Sequence, residues 1–323
     1  MKKSHPIGPI AATEIPRYAG HGTFVRLPRI GDVSDYDVAI VGVPFDGGTS
    51  FRPGARFGPS AVREASRLLR PGYHVELATF PVEQAQFVDA GDIACTPYDI
   101  VAAVEQIQAQ VSELVAKDKT VIAIGGDHTI ALPMIRATTA VHGPVALLHF
   151  DAHLDTWDTY FGAAITHGTM FRRAFEEGLL IEDRSMHVGI RGPVYDQDDF
   201  IRDHGFGFQI IRCSDLDHIG VPATIDRIKQ RIGDLPVYLS IDIDVLDPAF
   251  APGTGTPEMG GLHSREVLQI LRGLSGLNIV GADVVEVAPA YDHADVTTLA
   301  AATLVFEMMA MLMTSAENGA RPL

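Results

Sequence analysis

Seven runs in this chain are too apolar to leave a strand face in water: YDVAIVGVP (36–44), TVIAIGGDH (120–128), PVALLHFDAH (144–153), SMHVGIRG (185–192), FQIIRC (208–213), PVYLSIDIDVLD (236–247) and NIVGADVVEV (278–287). A Val- and Ile-rich strand without polar alternation must be covered on both faces. The segments between supply the covers. In VAAVEQIQAQVSELVAK, Val101, Val104, Val111 and Leu114 recur at helical spacing. Strands alternating with helices predict an α/β fold with a parallel sheet between two helical layers. No internal repeat, low-complexity linker or charge block divides the 323 residues, so one domain over 1–323 is expected, with 1–30 as an N-terminal extension or arm.

Charge narrows the partners. With 25 Lys+Arg against 41 Asp+Glu the formal charge is -16, which disfavours nucleic acid and favours cations or metals. Two cysteines, Cys95 and Cys213, form neither a disulfide framework nor a thiolate metal pattern, which suits a cytoplasmic protein. Pro6 and Pro9 interrupt the place where a signal peptide would carry its apolar run, so no export is expected. LAAATLVFEMMAMLM reads as a buried core helix, because it is shorter than a membrane span and contains Glu307. No membrane partner is expected.

Polar residues gather where the apolar runs end. Asp127 and His128 follow one, Asp151, His153 and Asp155 a second, Asp242, Asp244 and Asp247 a third, and Glu286 a fourth. In parallel α/β sheets such ends collect on one edge, where ligands bind. Spacing by single residues in DAHLD turns Asp151, His153 and Asp155 toward one side of an extended chain, and DID repeats the device. Crowded carboxylates repel unless cations sit among them. Aspartates and imidazoles without thiolate suit divalent metals, Mn²⁺ first, with Ni²⁺, Co²⁺ and Zn²⁺ open. Single members have plainer readings: His149 as a hydrogen-bonded core residue, His142 as a loop residue, and any one aspartate as a turn former. GGTSFRPGARFGPS and GFGF lack the remainder of a phosphate loop or dinucleotide fingerprint.

GGDHT (125–129), FDAHLD (150–155) and SIDIDVLDPAFAPGTGTPE (240–258) resemble the three signatures of the arginase/agmatinase ureohydrolases. VPFDGGTSFRPGARFGPSAVR and HGTMFRRA point to the agmatinase branch. The resemblance implies a three-layer α/β/α fold with a central, mostly parallel sheet of about eight strands. It implies two divalent ions: His128, Asp151, Asp155 and Asp242 holding one, and Asp151, His153, Asp242 and Asp244 the other, with Asp151 and Asp242 bridging. The implied chemistry is hydrolysis of a guanidine to urea and an amine. Glu286 would orient the guanidinium through both oxygens, Asp155 would pass a proton to the leaving nitrogen, and His167 would shuttle protons with a near-neutral pKa. The family's assemblies imply a homo-oligomer, trimer or hexamer.

The expected substrate is a small cationic guanidine, with agmatine first. Where arginases carry an aspartate after the strand arginine matching Arg191, this chain has Gly192, which disfavours arginine. Asp158 in TWDTYFGAAIT favours a cationic tail over a carboxylate. Against that, Arg52, Arg56 or Arg191 could approach from other loops, and Trp157 or Tyr160 could line a site for guanidinobutyrate, guanidinopropionate or a biguanide. A single-zinc deacetylase-type hydrolase is disfavoured by the second set of ligands, and a non-catalytic subunit by their completeness.

Overall fold

The computed structural model describes residues 6–317. In chain order its elements are β1 (Val38–Val43), α1 (Gly58–Ser66), the single-turn α2 (Pro81–Gln84), β2 (Phe87–Asp92), α3 (Ile100–Ser112), β3 (Thr120–Gly125), α4 (Ala131–His142), β4 (Ala146–Phe150), α5 (Met170–Glu176), β5 (Ser185–Ile190), α6 (Asp198–Gly205), β6 (Phe208–Arg212), α7 (Cys213–Ile232), β7 (Pro236–Asp242), α8 (Ser264–Gly273), β8 (Asn278–Val285) and α9 (Val296–Glu317). The strands form one eight-stranded sheet in the order β2-β1-β3-β8-β7-β4-β5-β6. Every pairing is parallel.

Alternate side chains of each strand feed two separate cores, as a pleat of period two requires. On one face Ile40, Leu148, Leu239 and Ile241 pack with Val62 of α1, Ile270 of α8 and Val305 of α9. On the other, Val41, Leu147 and Tyr238 meet Ile107 of α3, Leu132 of α4 and Phe171 of α5. These are the three layers that the two-sided apolar runs call for.

Four details depart from the sequence reading. The eighth strand, β2, lies outside the seven runs because it is an edge strand whose polar residues are used laterally. Its Asp89 and Asp92 accept three bonds from Arg63 of α1, Nε to Asp89 at 2.9 Å and Nη1 to Asp92 at 2.5 Å among them, and the Gly91 carbonyl accepts a fourth. Val101 is exposed, and α3 buries Ala103, Val104, Ile107 and Val111 instead. His142 is the last residue of α4 rather than part of a loop, with Gly143 ending the helix at φ 75°. The apolar C-terminal segment is longer than expected: within α9, Val296–Thr314 is long and apolar enough to cross a membrane by length and composition, yet 78% of that window is buried inside the fold.

Glu307 is the charged group inside α9. Its carboxylate takes Arg272 Nε at 3.0 Å and Nη2 at 2.6 Å, and lies 3.1 Å from His74 Nε2. Burial would raise its pKa, but His74 and Arg272 hold it below the ordinary glutamate value. Its contribution to stability is therefore present above the unfolded carboxylate pKa and is lost as pH falls through the lowered folded value. Glu307→Ala leaves Arg272 and His74 without their acceptor, and should cost about 3–5 kcal/mol in urea unfolding. A loss below about 1 kcal/mol, the range of exposed pairs, would show that the cluster does not anchor α9.

Candidate metal centre

The carboxyl ends of β3, β8, β7 and β4, four neighbours in the sheet, carry His128, Glu286, Asp242 with Asp244, and Asp151 with His153 and Asp155. After β3 the chain crosses to β4 and returns only later to fill the gap with β7 and β8. Such switch points leave a crevice beyond the strand ends. One local device ends three of these strands. Asp127 Oδ1, Asp151 Oδ1 and Asp242 Oδ1 accept the backbone N–H two residues on, from Thr129 at 3.0 Å, His153 at 2.6 Å and Asp244 at 2.8 Å. Each Asx turn stops its strand and presents the next polar side chain to the crevice.

His128 Nδ1 lies 3.3 Å from Asp151 Oδ2, 3.0 Å from Asp155 Oδ2 and 3.3 Å from Asp242 Oδ2, and is buried without a hydrogen-bond partner. Its tautomer follows from the other side of the ring. Ser240 Oγ donates to Asp283 Oδ1 at 2.6 Å and so accepts from His128 Nε2–H at 2.9 Å. In the neutral ring Nδ1 is then bare and faces three carboxylates, which draw a proton to it where no cation takes that place. The bare form is the state of a metal-ligating imidazole held by its far nitrogen. His153 Nδ1 is similarly placed, 3.3 Å from Asp151 Oδ1 and 3.2 Å from Asp244 Oδ2. His128, Asp151 and Asp155 draw together in one group, into which His149 Nε2 also falls, and Asp151, His153 and Asp244 in a second; Asp242 is in neither group, its Oδ2 lying 3.3 Å from His128 Nδ1. Asp151 belongs to both, as a bridging carboxylate must. His149 stands behind it, with Nε2 2.8 Å from Asp151 Oδ2, and is the hydrogen-bonded core residue expected.

Beside the cluster opens a cavity of about 500 Å³, lined by His153, Asp155, His167, Asp242 and the loops 50–52, 157–160, 193–195 and 255–258. Glu286 is buried behind His167 of its wall. Oε1 accepts from His128 N at 2.8 Å and from His167 Nδ1 at 3.1 Å, while Oε2 is buried and unbonded. One oxygen is therefore free, not the two expected for a bidentate grip. Asp155 and Glu286 adopt left-handed backbone conformations, φ 55° and 63°. For residues with a Cβ this costs on the order of 1–3 kcal/mol, a strain concentrated where function needs it.

The wall of the cavity differs from the sequence reading in several places. Asp158 turns outward to Arg173 Nη2 at 2.8 Å, Arg56 pairs with Asp46, and Asp247 shapes its own loop by accepting from Ala249, Gly260 and Gly261. Arg191 spends its guanidinium on carbonyls, including Asp244 at 2.6 Å and Glu258 at 2.8 Å. Of the three arginines considered, Arg52 lines the cavity. Gly192 is needed for space: a Cβ there would lie 2.8 Å from His153 Cδ2. Trp157 and Tyr160 line the wall as a stacked pair, joined by Tyr195, whose hydroxyl is 2.8 Å from that of Tyr160. Tyr195 and the Ser240–Asp283 support carry no signal in the sequence, since a tyrosine in a loop and a serine in a strand belong to no spacing pattern.

Residues 36–311 match the Arginase family model. The chain belongs to the arginase family. It is 47% identical to putative agmatinase 1 of Schizosaccharomyces pombe, over 92% of this chain and 83% of the relative. It is 44% identical to guanidinopropionase of Pseudomonas aeruginosa, over 99% and 100%. Its fold is similar to the solved proclavaminate amidino hydrolase from Streptomyces clavuligerus, with a TM-score of 0.88 at 42% identity, covering 93% and 99%.

The electrostatics of this arginase-family chain fit a pair of cations. Burial and neighbouring carboxylates raise Asp242 well above the ordinary range, raise Asp155, and lift Asp244 to about 6. Burial would also raise Asp151, but His149, His128 and His153 hold it well below. His167 departs from its expected near-neutral value. Burial lowers it, yet the Glu286 carboxylate outweighs that and pushes it up to about 9, a rise that cations nearby would oppose. Asp127, buried and beside Glu286, rises to about 7 while accepting Gly48 N–H at 2.6 Å.

A proton on a raised carboxylate must leave before a cation can take its place. Binding of Mn²⁺ or Co²⁺ to metal-stripped protein should therefore release protons near pH 6, with affinity rising as pH rises through about 6, where Asp244 ionises. Calorimetry in two buffers of different ionisation enthalpy reads that release. Heats independent of buffer would mean that the ligands are already ionised, contrary to this electrostatic account.

Proposed function

We propose that the chain hydrolyses the guanidinium group of a linear guanidino compound to urea and an amine. His128, Asp151, Asp155 and Asp242 would hold one divalent ion, and Asp151, His153, Asp242 and Asp244 the other. The oxygen- and imidazole-only donor set favours Mn²⁺, with Ni²⁺ or Co²⁺ as alternatives. Bound there, such ions supply Lewis acidity and make hydroxide available near neutral pH.

The observation that carries the reading is Glu286 Oε2, a carboxylate oxygen buried without a donor immediately beside the ligand cluster. A buried acceptor of this kind calls for a partner, and a planar cation rich in N–H groups is the chemical match. Oε1, held by His128 N and His167, fixes the direction in which Oε2 points. His167 Nε2 accepts from Ser50 N at 3.1 Å, so its neutral ring donates from Nδ1 to Glu286. Asp155, on the cavity wall, would take a proton from the attacking water and deliver it to the leaving nitrogen, and His167, on the same wall, would exchange protons with solvent. Glu286→Gln should retain metal yet lose turnover on every guanidine tested, with at least about 1.5–3 kcal/mol, roughly 10- to 150-fold in kcat/KM, from one charge-assisted bond. Unchanged kcat/KM on two substrates of different tail would remove Glu286 from the site.

Agmatine is the substrate class expected first, and a second reading is favoured by the charges left in the cavity. Asp158 is turned away, and Glu258 lines the cavity at ion-pair distance from His153, 3.7 Å from its Nε2, without a hydrogen bond to it. Arg52 has no carboxylate partner among the described residues and rests on the Tyr291 ring at 5.1 Å. An unspent guanidinium in the cavity suits a tail ending in carboxylate, that is, a short ω-guanidino acid. Urea release from agmatine, guanidinopropionate, guanidinobutyrate and arginine should be greatest on a guanidino acid, and Arg52→Leu should erase that preference by raising KM. Highest turnover on agmatine, unaffected by Arg52→Leu, would return the reading to a cationic tail.

A further inference from the structure

A buried row of polar groups runs away from the cavity behind Asp151. His149 Nε2 is 2.8 Å from Asp151 Oδ2, His149 Nδ1 is 2.7 Å from His187 Nδ1, and His187 Nε2 is 3.3 Å from Asp203 Oδ2. His149, His187 and Asp203 are completely buried. His187 is stacked on Phe208 with centroids 4.2 Å apart, and His149 meets Phe171 edge-on at 4.5 Å, so neither ring is free to turn.

The proton positions follow from donor chemistry. A carboxylate only accepts, so His149 carries hydrogen at Nε2. Its Nδ1 is then bare in the neutral ring, and His187 Nδ1–H donates to it. At the far end, His187 Nε2 and Asp203 Oδ2 face each other without a hydrogen bond although both are buried. Three polar residues at this depth cost more than apolar ones of the same volume unless the row does something that packing does not. Asp203 also accepts Thr156 Oγ1 at 2.8 Å, the neighbour of Asp155. The hydrogen-bonded part of the row therefore runs from His187 through His149 to Asp151, while Asp203 is bonded to Thr156, the neighbour of Asp155.

We propose that His187 is a positioning residue which acts through His149 on Asp151 and sets the orientation on which tight binding of the two ions depends. The proposal rests on the metal reading of Asp151 given above. Outer partners of a metal ligand commonly change affinity about 10- to 100-fold when removed.

Calorimetric titration of metal-stripped, full-length protein with Mn²⁺ tests it. His187→Phe keeps the ring stacked on Phe208 but has no donor, and should weaken at least one Mn²⁺ site about 10- to 100-fold. Asp199→Asn is the control: it cuts a neighbouring tie from α6, Trp157 Nε1 to Asp199 Oδ2 at 3.3 Å, but touches no group in the row, and Mn²⁺ affinity should stay at the parent value. In the parent protein, long-range ¹H–¹⁵N correlation should show His149 protonated at Nε2 with Nδ1 bare. That spectrum decides the matter if His187→Phe fails to fold: a bare Nε2 on His149 overturns the proposal. A parent-like titration for folded His187→Phe overturns it equally, leaving the metal reading in place. A parent that binds fewer than two Mn²⁺ overturns the metal reading and this proposal together.

Discussion

Mutual repulsion among carboxylates buried at the ends of four adjacent strands is the constraint around which the rest of the structure is arranged. Asp151, Asp155, Asp242 and Asp244 are at most 6% exposed, and like charges in so poorly solvated a place cannot all ionise without compensation. Without cations, protons held on the imidazoles give partial relief, as the low Asp151 and the raised His128 and His153 show. Two divalent cations would take the place of those protons and relieve the repulsion more fully. The same excess of acceptors explains why a cationic guanidinium would be drawn to the cavity beside the cluster.

Holding such a cluster in place requires rigidity from several independent sources. Three Asx turns end β3, β4 and β7 in the same manner. Ser240 and Asp283, on the central strands β7 and β8, fix the His128 ring from behind. Arg191 ties the loop after β7 to residue 258 through carbonyls, and the left-handed Asp155 and Glu286 are held in place by bonds to their neighbours. The eight-stranded sheet pays for that strain through two large apolar cores.

What was readable in the sequence is what has a period or a spacing. Two-sided apolar runs reveal the central strands and hence the three layers; DAHLD and DID reveal the candidate ligands because single-residue spacing survives folding unchanged. Edge strand β2 has neither property, since Asp89 and Asp92 make it look like a loop until Arg63 is brought to it. Side-chain direction in the loops was equally hidden: nothing in TWDTYFGAAIT shows that Asp158 turns to Arg173 while Trp157 and Tyr160 face the cavity. The support behind the cluster, from Ser240 to Asp203, depends on residues far apart in sequence, and no local pattern announces it.

The central claim is that these strand ends form one site for two cations sharing Asp151 and Asp242. Anomalous diffraction from crystals of the protein soaked in Mn²⁺ tests it most directly. The account predicts two anomalous peaks about 3.5–4 Å apart, the separation usual in two-metal sites, both in contact with the Asp151 and Asp242 carboxylates. A single peak, or two peaks that share neither residue, would contradict it.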